Sequence, residues 1–565
     1  MNGREGDTVR TRNQRRGVRR PGGRGVLGRL AATGAIATLL LLAGCSGGAP
    51  ESAAPGDRGG SGDGGSSSSG GDQGDGGGST GGSTDEGTAT TEDGGGSTAA
   101  VPAGLENFYE QDLAWEDCGS NQCALLEVPI NYEEPEGDTI QIELLKVPAS
   151  GERQGSLVLN PGGPGASGVE YAEMAGAVVD GSVSDVYDLV GFDPRGVGGS
   201  APIRCLEDSE MDEFLGFDPT PDDEEEEKEA AALGEKFATA CGEKVGDLLG
   251  HVSTVEVARD MDVLRAALGE DQLDYLGASY GTYLGATYAE LFPENVGRFV
   301  LDGAVDPTLP GYQQGMGQAE GFERATRSYV EDCVDGGDCP LGNDVDSAMA
   351  AIPAFLEELD SNPIPLDGDP AGELTEGWGM YGIIVAMYDQ AGWPLLTNAL
   401  RDAQDGDATM LMFLASIYAG RSSDGTYSDN SQQAFYAVNC LESTEEEELS
   451  EEEMRQMYED VSPTWGAHLF TMDKDVCETW PVDAQTTLTE FDAAGAAPIV
   501  VIGTTRDPAT PYEWAEGLAD TLESGVLVSY DGDGHTAYGR SNSCVDDAVN
   551  AYLIDGTVPE DGLSC

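Results

Sequence analysis

LDYLGASYGTYLGATYAELFP, Leu273–Pro293, is the stretch that decides how this 565-residue chain is read. Its first six residues are short and β-prone, TYLGATYAELF has helical spacing, and GASYG joins the two. Gly-x-Ser-x-Gly carries little weight by itself in a chain with 81 glycines. Between a strand and a helix it carries more, because a tight turn there lifts the serine out at the carboxyl end of a sheet, and small flanking residues let strand and helix approach. Ser279 is therefore the candidate nucleophile, and it needs a base, since a free hydroxyl attacks poorly at neutral pH.

Working outward, short apolar runs alternate with helical periodicity, the pattern of an α/β fold. CALLEVPINY, DTIQIELLKVPA, GSLVLN and YDLVGFD precede the serine motif as strands, and GRFVLDGAV follows it. From about Asp306 to Asp492 the alternation lapses into helix formers, aromatics and cysteines, then resumes with APIVVIGTTRD, PYEWAEGLADTL, GVLVSYDGDGH and SCVDDAVNAYL. The economical organisation is one mostly parallel sheet flanked by helices, with core segments 105–306 and 491–565 and a large, mainly helical cap inserted at 307–490.

The chain has only three histidines. His251 precedes the serine and His468 lies within the cap, whereas His535 follows the final long strand in a glycine-flanked loop, DGDGH, at the expected sheet edge. His535 is the base of choice. The acid that fixes its tautomer belongs at the end of the preceding strand, in the order Ser, Asp, His, and Asp507 of TTRDPATPY stands there, 28 residues upstream. Asp531 and Asp533 are too close to the histidine along the chain to compete. For the oxyanion, the amide of Tyr280 is one expected donor, and the loop NPGGPGASG supplies the other, assigned to Gly163.

NPGGPGASG, YDLVGFDPRGVGGS, the run from Leu273 to Pro307, TTRDPATPY and GDGHTAYG together resemble the secreted tripeptidyl aminopeptidases of actinobacteria, relatives of prolyl iminopeptidase with the α/β-hydrolase fold. The likeness spans about 105–565 and is weaker in the cap. It implies a serine exopeptidase that releases short peptides, often of three residues, from free amino termini, with Ser279, Asp507 and His535 as its triad and no cofactor. Where prolyl iminopeptidases open the oxyanion loop with histidine, as HGGPG, this chain has Pro161, as the tripeptidyl branch does. Reading a free amine requires a carboxylate for the ammonium, and Glu442, beside Cys440, is the candidate.

Nine arginines precede the apolar run LAATGAIATLLLLAGC, the layout of a secretory leader over 1–45 and too short for a comfortable membrane span. It ends in LAGC, which resembles a bacterial lipobox with Cys45 as the lipidated residue; an ordinary signal peptide is the alternative, and the Sec or twin-arginine route stays open. A Gly/Ser/Asp-rich segment, 46–104, reads as a flexible tether. The expected location is the outer face of the cytoplasmic membrane, attached by lipid alone, with release left open. Ten further cysteines (Cys118, Cys123, Cys205, Cys241, Cys333, Cys339, Cys440, Cys477, Cys544 and Cys565) suit disulfides in an exported chain, pairing of neighbours in order being the simplest arrangement.

A formal net charge of −76 argues against nucleic acid as a partner, since phosphate binding needs clustered Lys and Arg. The acidic runs Asp222–Glu229 and Ser443–Met454 read as solvated faces or loops, no metal site is expected, and the expected state is a monomer acting on peptides with free amino termini. A carboxylesterase or lipase is the alternative within enzymes, because the same triad and oxyanion hole serve both acyl transfers. A non-catalytic binding lipoprotein is the alternative from another class. Epoxide- and dehalogenase-type chemistry is disfavoured because it uses aspartate at the elbow.

Overall fold

A computed structural model describes residues 101–442, 449–471, 474–485 and 488–565. The leader with Cys45, the tether as far as residue 100 and residues 443–448 of the second acidic run lie outside the described residues.

The strands of the main sheet are β1 (Glu116–Cys118), β2 (Asn121–Pro129), β3 (Thr139–Val147), β4 (Gly155–Asn160), β5 (Tyr187–Phe192), β6 (Leu273–Ala278), β7 (Val296–Asp302), β8 (Ile499–Arg506), β9 (Gly525–Asp533) and β10 (Leu563–Ser564). They form one sheet in the order β1-β2-β3-β5-β4-β6-β7-β8-β9-β10. The first three and β5 are joined by antiparallel pairings, and every neighbour from β5 and β4 onward is parallel. β4 is buried along its whole length, as expected for a central parallel strand covered on both faces.

Alternation within the strands sorts the core. Val158, Val190, Tyr275, Phe299, Leu301 and Val501 pack into one apolar layer, while Leu157, Leu159, Leu189, Leu276, Val300 and Val500 pack into another on the opposite face. All-apolar strands such as LVL and IVVI are explained by that two-sided covering. The chain is thus an α/β-hydrolase in architecture.

The helices that matter for the site are α1 (Asp208–Leu215), α2 (Glu224–Val245), α3 (Thr254–Leu268), α4 (Tyr280–Leu291), α5 (Gly311–Asp335), α6 (Glu376–Ile384), α7 (Ser431–Glu442), α8 (Glu451–Val461), α9 (Tyr512–Thr521) and α10 (Ser543–Asp555). α3 and α4 belong to the sheet's own layers, and α5 to α8 belong to the cap.

One boundary differs from the expected organisation. Residues between β5 and α3, assigned above to the core, contribute Ile203, Leu206, Met211, Leu215, Phe237 and Leu249 to the same apolar cluster as the cap helices. α1 and α2 present apolar residues that the sheet cannot reach, and the cap buries them: Phe214 and Phe237 meet Tyr436 edge-on at 5.3 and 5.4 Å. Gln433 on α7 accepts from the amides of Cys205 and Leu206. The cap is built from two excursions of the chain rather than one.

Among the described residues five disulfides join neighbours in sequence: Cys118–Cys123, Cys205–Cys241, Cys333–Cys339, Cys440–Cys477 and Cys544–Cys565. Two of them brace the cap near the site, one closing the α1–α2 excursion and the other fixing the end of α7.

Candidate active site

Ser279 sits between β6 and α4 with φ 57° and ψ −128°, a conformation L-residues rarely adopt and one that neighbouring contacts must hold in place. Those contacts explain the glycines. A Cβ on Gly277 would run into the carbonyl oxygen of Gly281, so strand and helix meet closely because neither carries a side chain there. The Ser279 amide donates to the Asp302 carbonyl at 2.9 Å, tying the elbow to the end of β7.

Asp507 follows β8 and is 1% exposed, and His535 follows β9 and is 7% exposed. The imidazole Nδ1 lies 2.9 and 3.0 Å from the two Asp507 oxygens. Asp507 also accepts from the amides of Ala509 and Thr510 at 2.9 Å each, which aims the carboxylate at the ring. With Nδ1 committed to Asp507, the remaining nitrogen is Nε2, which is buried and has no hydrogen-bond partner among the described residues. An imidazole held in this way carries its proton on Nδ1 and keeps Nε2 as the accepting nitrogen.

The other candidates for those roles are engaged elsewhere. His251 meets Glu256 at 3.3 Å, in the network around Arg195. His468 is buried in the cap against Glu376 at 3.0 Å, and burial lowers its pKa to about 4. Asp531 and Asp533 both pair with Arg506, at 2.9 and 2.8 Å.

The loop after β4 packs directly on the elbow. A Cβ on Gly162, at φ +93°, would come within 2.9 Å of Ser279 Cβ and of the Tyr280 amide nitrogen. The Gly162 amide is already used, donating to Asn160 Oδ1 at 2.9 Å. The next amide, Gly163, has no acceptor among the described residues, and that of Tyr280 opens α4, where an amide has no partner within the helix.

Glu442 closes the same region from the cap. Its Oε1 accepts from the Thr254 amide at 2.6 Å, at the start of α3. Thr254 Oγ1 in turn meets the Tyr280 hydroxyl at 2.6 Å. Burial pushes the Glu442 carboxyl above the usual glutamate range, and the Thr254 bonds only partly offset that. Burial first, and the Glu442 charge after it, hold the Tyr280 and Tyr283 phenols well above their ordinary values. A carboxylate is thus linked through Thr254 to Tyr280, the residue after Ser279.

Residues 462–565 match the family described as TAP-like protein. Over 477 residues the chain is 38% identical to "Serine protease Hip1" of Mycobacterium tuberculosis (strain ATCC 25618 / H37Rv), spanning 80% of this chain and 91% of that protein. The chain belongs to the TAP-like family of α/β-hydrolase serine hydrolases. Other TAP-like relatives include "Carboxylesterase B" of the same strain, 38% identical over 452 residues with 79% and 86% of the two chains covered. "Tripeptidyl aminopeptidase" of Streptomyces lividans is 32% identical over 476 residues, covering 80% and 86%. The matched TAP-like segment contains Asp507 and His535, while Ser279 and the NPGGPG loop lie before it.

Several site residues of this TAP-like chain carry no sequence signal that pattern reading uses. Tyr388, in a short turn of the cap (Val385–Tyr388), accepts from the His535 amide through its carbonyl. Thr254 and Asn160 are ordinary polar residues until the fold brings them to the elbow.

Two carboxylate groups, Asp218–Glu226–Asp360 and Asp222–Asp223–Glu226, bring their oxygens within 4.8 Å of one another. Both share Glu226 at the start of α2, where Asp223 caps the helix by accepting from the Glu225 and Glu226 amides. Burial and a bond with Glu376 push Asp218 up to about 7. Helix capping accounts for the exposed group.

Proposed function

We propose that this chain is an exported serine exopeptidase that releases short peptides, tripeptides foremost, from free amino termini. In this reading His535 Nε2 takes the Ser279 proton as Oγ attacks the scissile carbonyl, and Asp507 stabilises the imidazolium that forms. The amides of Gly163 and Tyr280 receive the oxyanion. The imidazolium returns its proton to the departing amine, and water then hydrolyses the acyl-enzyme by the same route. The five disulfides support an oxidising, exported location.

The observation that carries the exopeptidase reading is Glu442, a carboxylate on the cap bonded to Thr254 beside Tyr280. A carboxylate held by Thr254, whose hydroxyl also meets that of the residue after Ser279, suits an ammonium group a few residues before the scissile bond. The tripeptidyl aminopeptidase relative supports the same substrate class.

A carboxylesterase is the second reading, favoured by the relative of that name at 38% identity. The triad serves either chemistry, so substrates must decide. The purified protein and its Ser279→Ala variant are incubated with matched peptides whose amino termini are free or blocked, and the products are identified by mass. Tripeptides released only from free peptides, and only with Ser279 present, support the proposal. Fluorophosphonate labelling of Ser279 without peptide cleavage supports the esterase. Retention of the cellular role in the Ser279→Ala strain would favour a non-catalytic binding protein.

A further inference from the structure

We infer that Asp302 is a positioning residue that locks the nucleophile elbow and the histidine loop into one register. The inference rests on the serine-hydrolase reading above. Asp302 ends β7, between the strand that delivers Ser279 and the strand that precedes Asp507. Its carbonyl accepts from the Ser279 amide at 2.9 Å. Its carboxylate accepts from the Ala537 amide at 3.0 Å to each oxygen and from the Tyr538 amide at 2.8 Å, two and three residues past His535. One residue therefore holds both reacting partners, through its backbone on one side and its side chain on the other.

Its neighbour completes the clamp. Gly303, at φ +68°, donates its amide to the Ile502 carbonyl on β8 at 3.1 Å. A Cβ there would stand 3.1 Å from His535 Cε1 and 3.1 Å from Thr536 Cγ2. The loop it presses against includes Thr536 at φ 67°, a strained setting for a β-branched residue that the Asp302 bonds help to maintain. Asp302, Gly303 and the 535–538 loop thus interlock within van der Waals reach.

A carboxylate is a costly way to anchor a loop. Asp302 is 3% exposed and its partners are amides rather than a cation. The ionisable groups that act on it are His535 and Asp507, and its own charge is felt by the Tyr171 phenol. Burial pushes its carboxyl up to about 6, against which the two amides and His535 act. A carboxyl raised in the fold contributes stability below its unfolded pKa and loses that contribution as pH rises through the folded value. At neutral pH that contribution is gone, so what keeps a carboxylate at this position is its hold on the 537 and 538 amides through both oxygens.

The test compares the full-length protein with its Asp302→Asn and Asp302→Ala variants. Both are expected to remain folded by circular dichroism, and rates are compared per folded protein, with Asp302→Asn keeping one acceptor oxygen for the 537–538 amides and Asp302→Ala keeping none. kcat is expected to fall by about 10- to 100-fold with KM changed by less than about threefold, because the substrate pocket is intact while the reacting groups are misplaced. Fluorophosphonate labelling of Ser279 slows in parallel, and the acid limb of the kcat profile, which protonation of the base produces, shifts because the carboxylate that acts on His535 is gone. With three histidines in the chain, the Nδ1 proton of His535 is also assignable by NMR, and it is expected to shift or exchange faster in both variants.

Unchanged kcat, pH profile and His535 resonance in a folded variant would overturn the inference. So would a loss of activity that only tracks loss of folded protein. Failure of the parent protein to be labelled at Ser279, with Ser279→Ala as control, would instead remove the serine-hydrolase reading on which the inference stands.

Discussion

The carbonyl of Tyr388 accepts the His535 amide at 2.9 Å, and the two rings meet edge-on at 90° with centroids 5.4 Å apart. The cap and the catalytic edge of the sheet are therefore joined at the histidine itself. Arg540, five residues further on, adds an ion pair to Asp389 at 2.9 Å on the same seam. A backbone bond survives any side-chain change, so the ring contact can be tested separately. Tyr388→Leu is expected to lower kcat by about 3- to 10-fold, the range of one aromatic contact, in steady-state assays with the fold unchanged by circular dichroism.

Asp507 is expected to matter far more than its size. Asp507→Asn removes the acceptor that selects the Nδ1–H tautomer while leaving the amides of Ala509 and Thr510 near an oxygen of similar shape. A drop of about 10⁴ in kcat is expected, with the melting temperature little changed, because the residue acts through the tautomer and the imidazolium rather than through packing. A variant that keeps more than about a tenth of the activity would point to another acid.

Glu442 is expected to divide substrates by their amino termini. Glu442→Gln keeps the acceptor for the Thr254 amide and removes the charge, so free peptides are expected to lose about 10- to 100-fold in kcat/KM, the worth of a charge-assisted hydrogen bond. Blocked substrates or small esters should be unaffected. Burial raises the Glu442 pKa, so it protonates at a higher pH than an ordinary glutamate, and the preference for free peptides should fade as pH falls. The ratio of free to blocked turnover, followed from neutral to acid pH, checks both statements.

Arg195 provides a stability test away from the chemistry. Its side chain is fully buried, pairs with Asp260 at 2.7 Å and with Glu256, and donates to the carbonyls of Ile130 and His251 at 2.8 Å each. Replacing it by methionine leaves two buried carboxylates without their cation. A loss of about 3–5 kcal/mol is expected in denaturant unfolding. Partial recovery in the double variant Arg195→Met/Asp260→Asn, which neutralises one of the two carboxylates, would show that stranded charge, rather than lost volume, causes it.

The parts of the site carried by local rules were legible in the sequence. GASYG between a β-prone run and a helical run places Ser279 at a strand–helix turn because only glycines permit the approach of 277 to 281. TTRDP and DGDGH end their runs at the same sheet edge, so their order along the chain was enough to pair Asp507 with His535. The disulfides follow the order of their cysteines, since closing short loops costs least.

Other relationships had no local signature. Asp302 looks like any residue ending a strand, Tyr388 like any cap aromatic, and residues 203–252 like a continuation of the core. Their roles arise from long-range contacts: Asp302 meets amides more than 230 residues away, and α1 and α2 find their apolar partners only on the cap. Sequence by itself determined the secondary-structure pattern, the sheet edge and which serine, aspartate and histidine stand at it, because backbone geometry and hydrogen-bond chemistry act over a few residues. Tertiary structure alone decided which buried groups hold that chemistry in register, because such groups are selected by burial and proximity, and neither is encoded in any short stretch of chain.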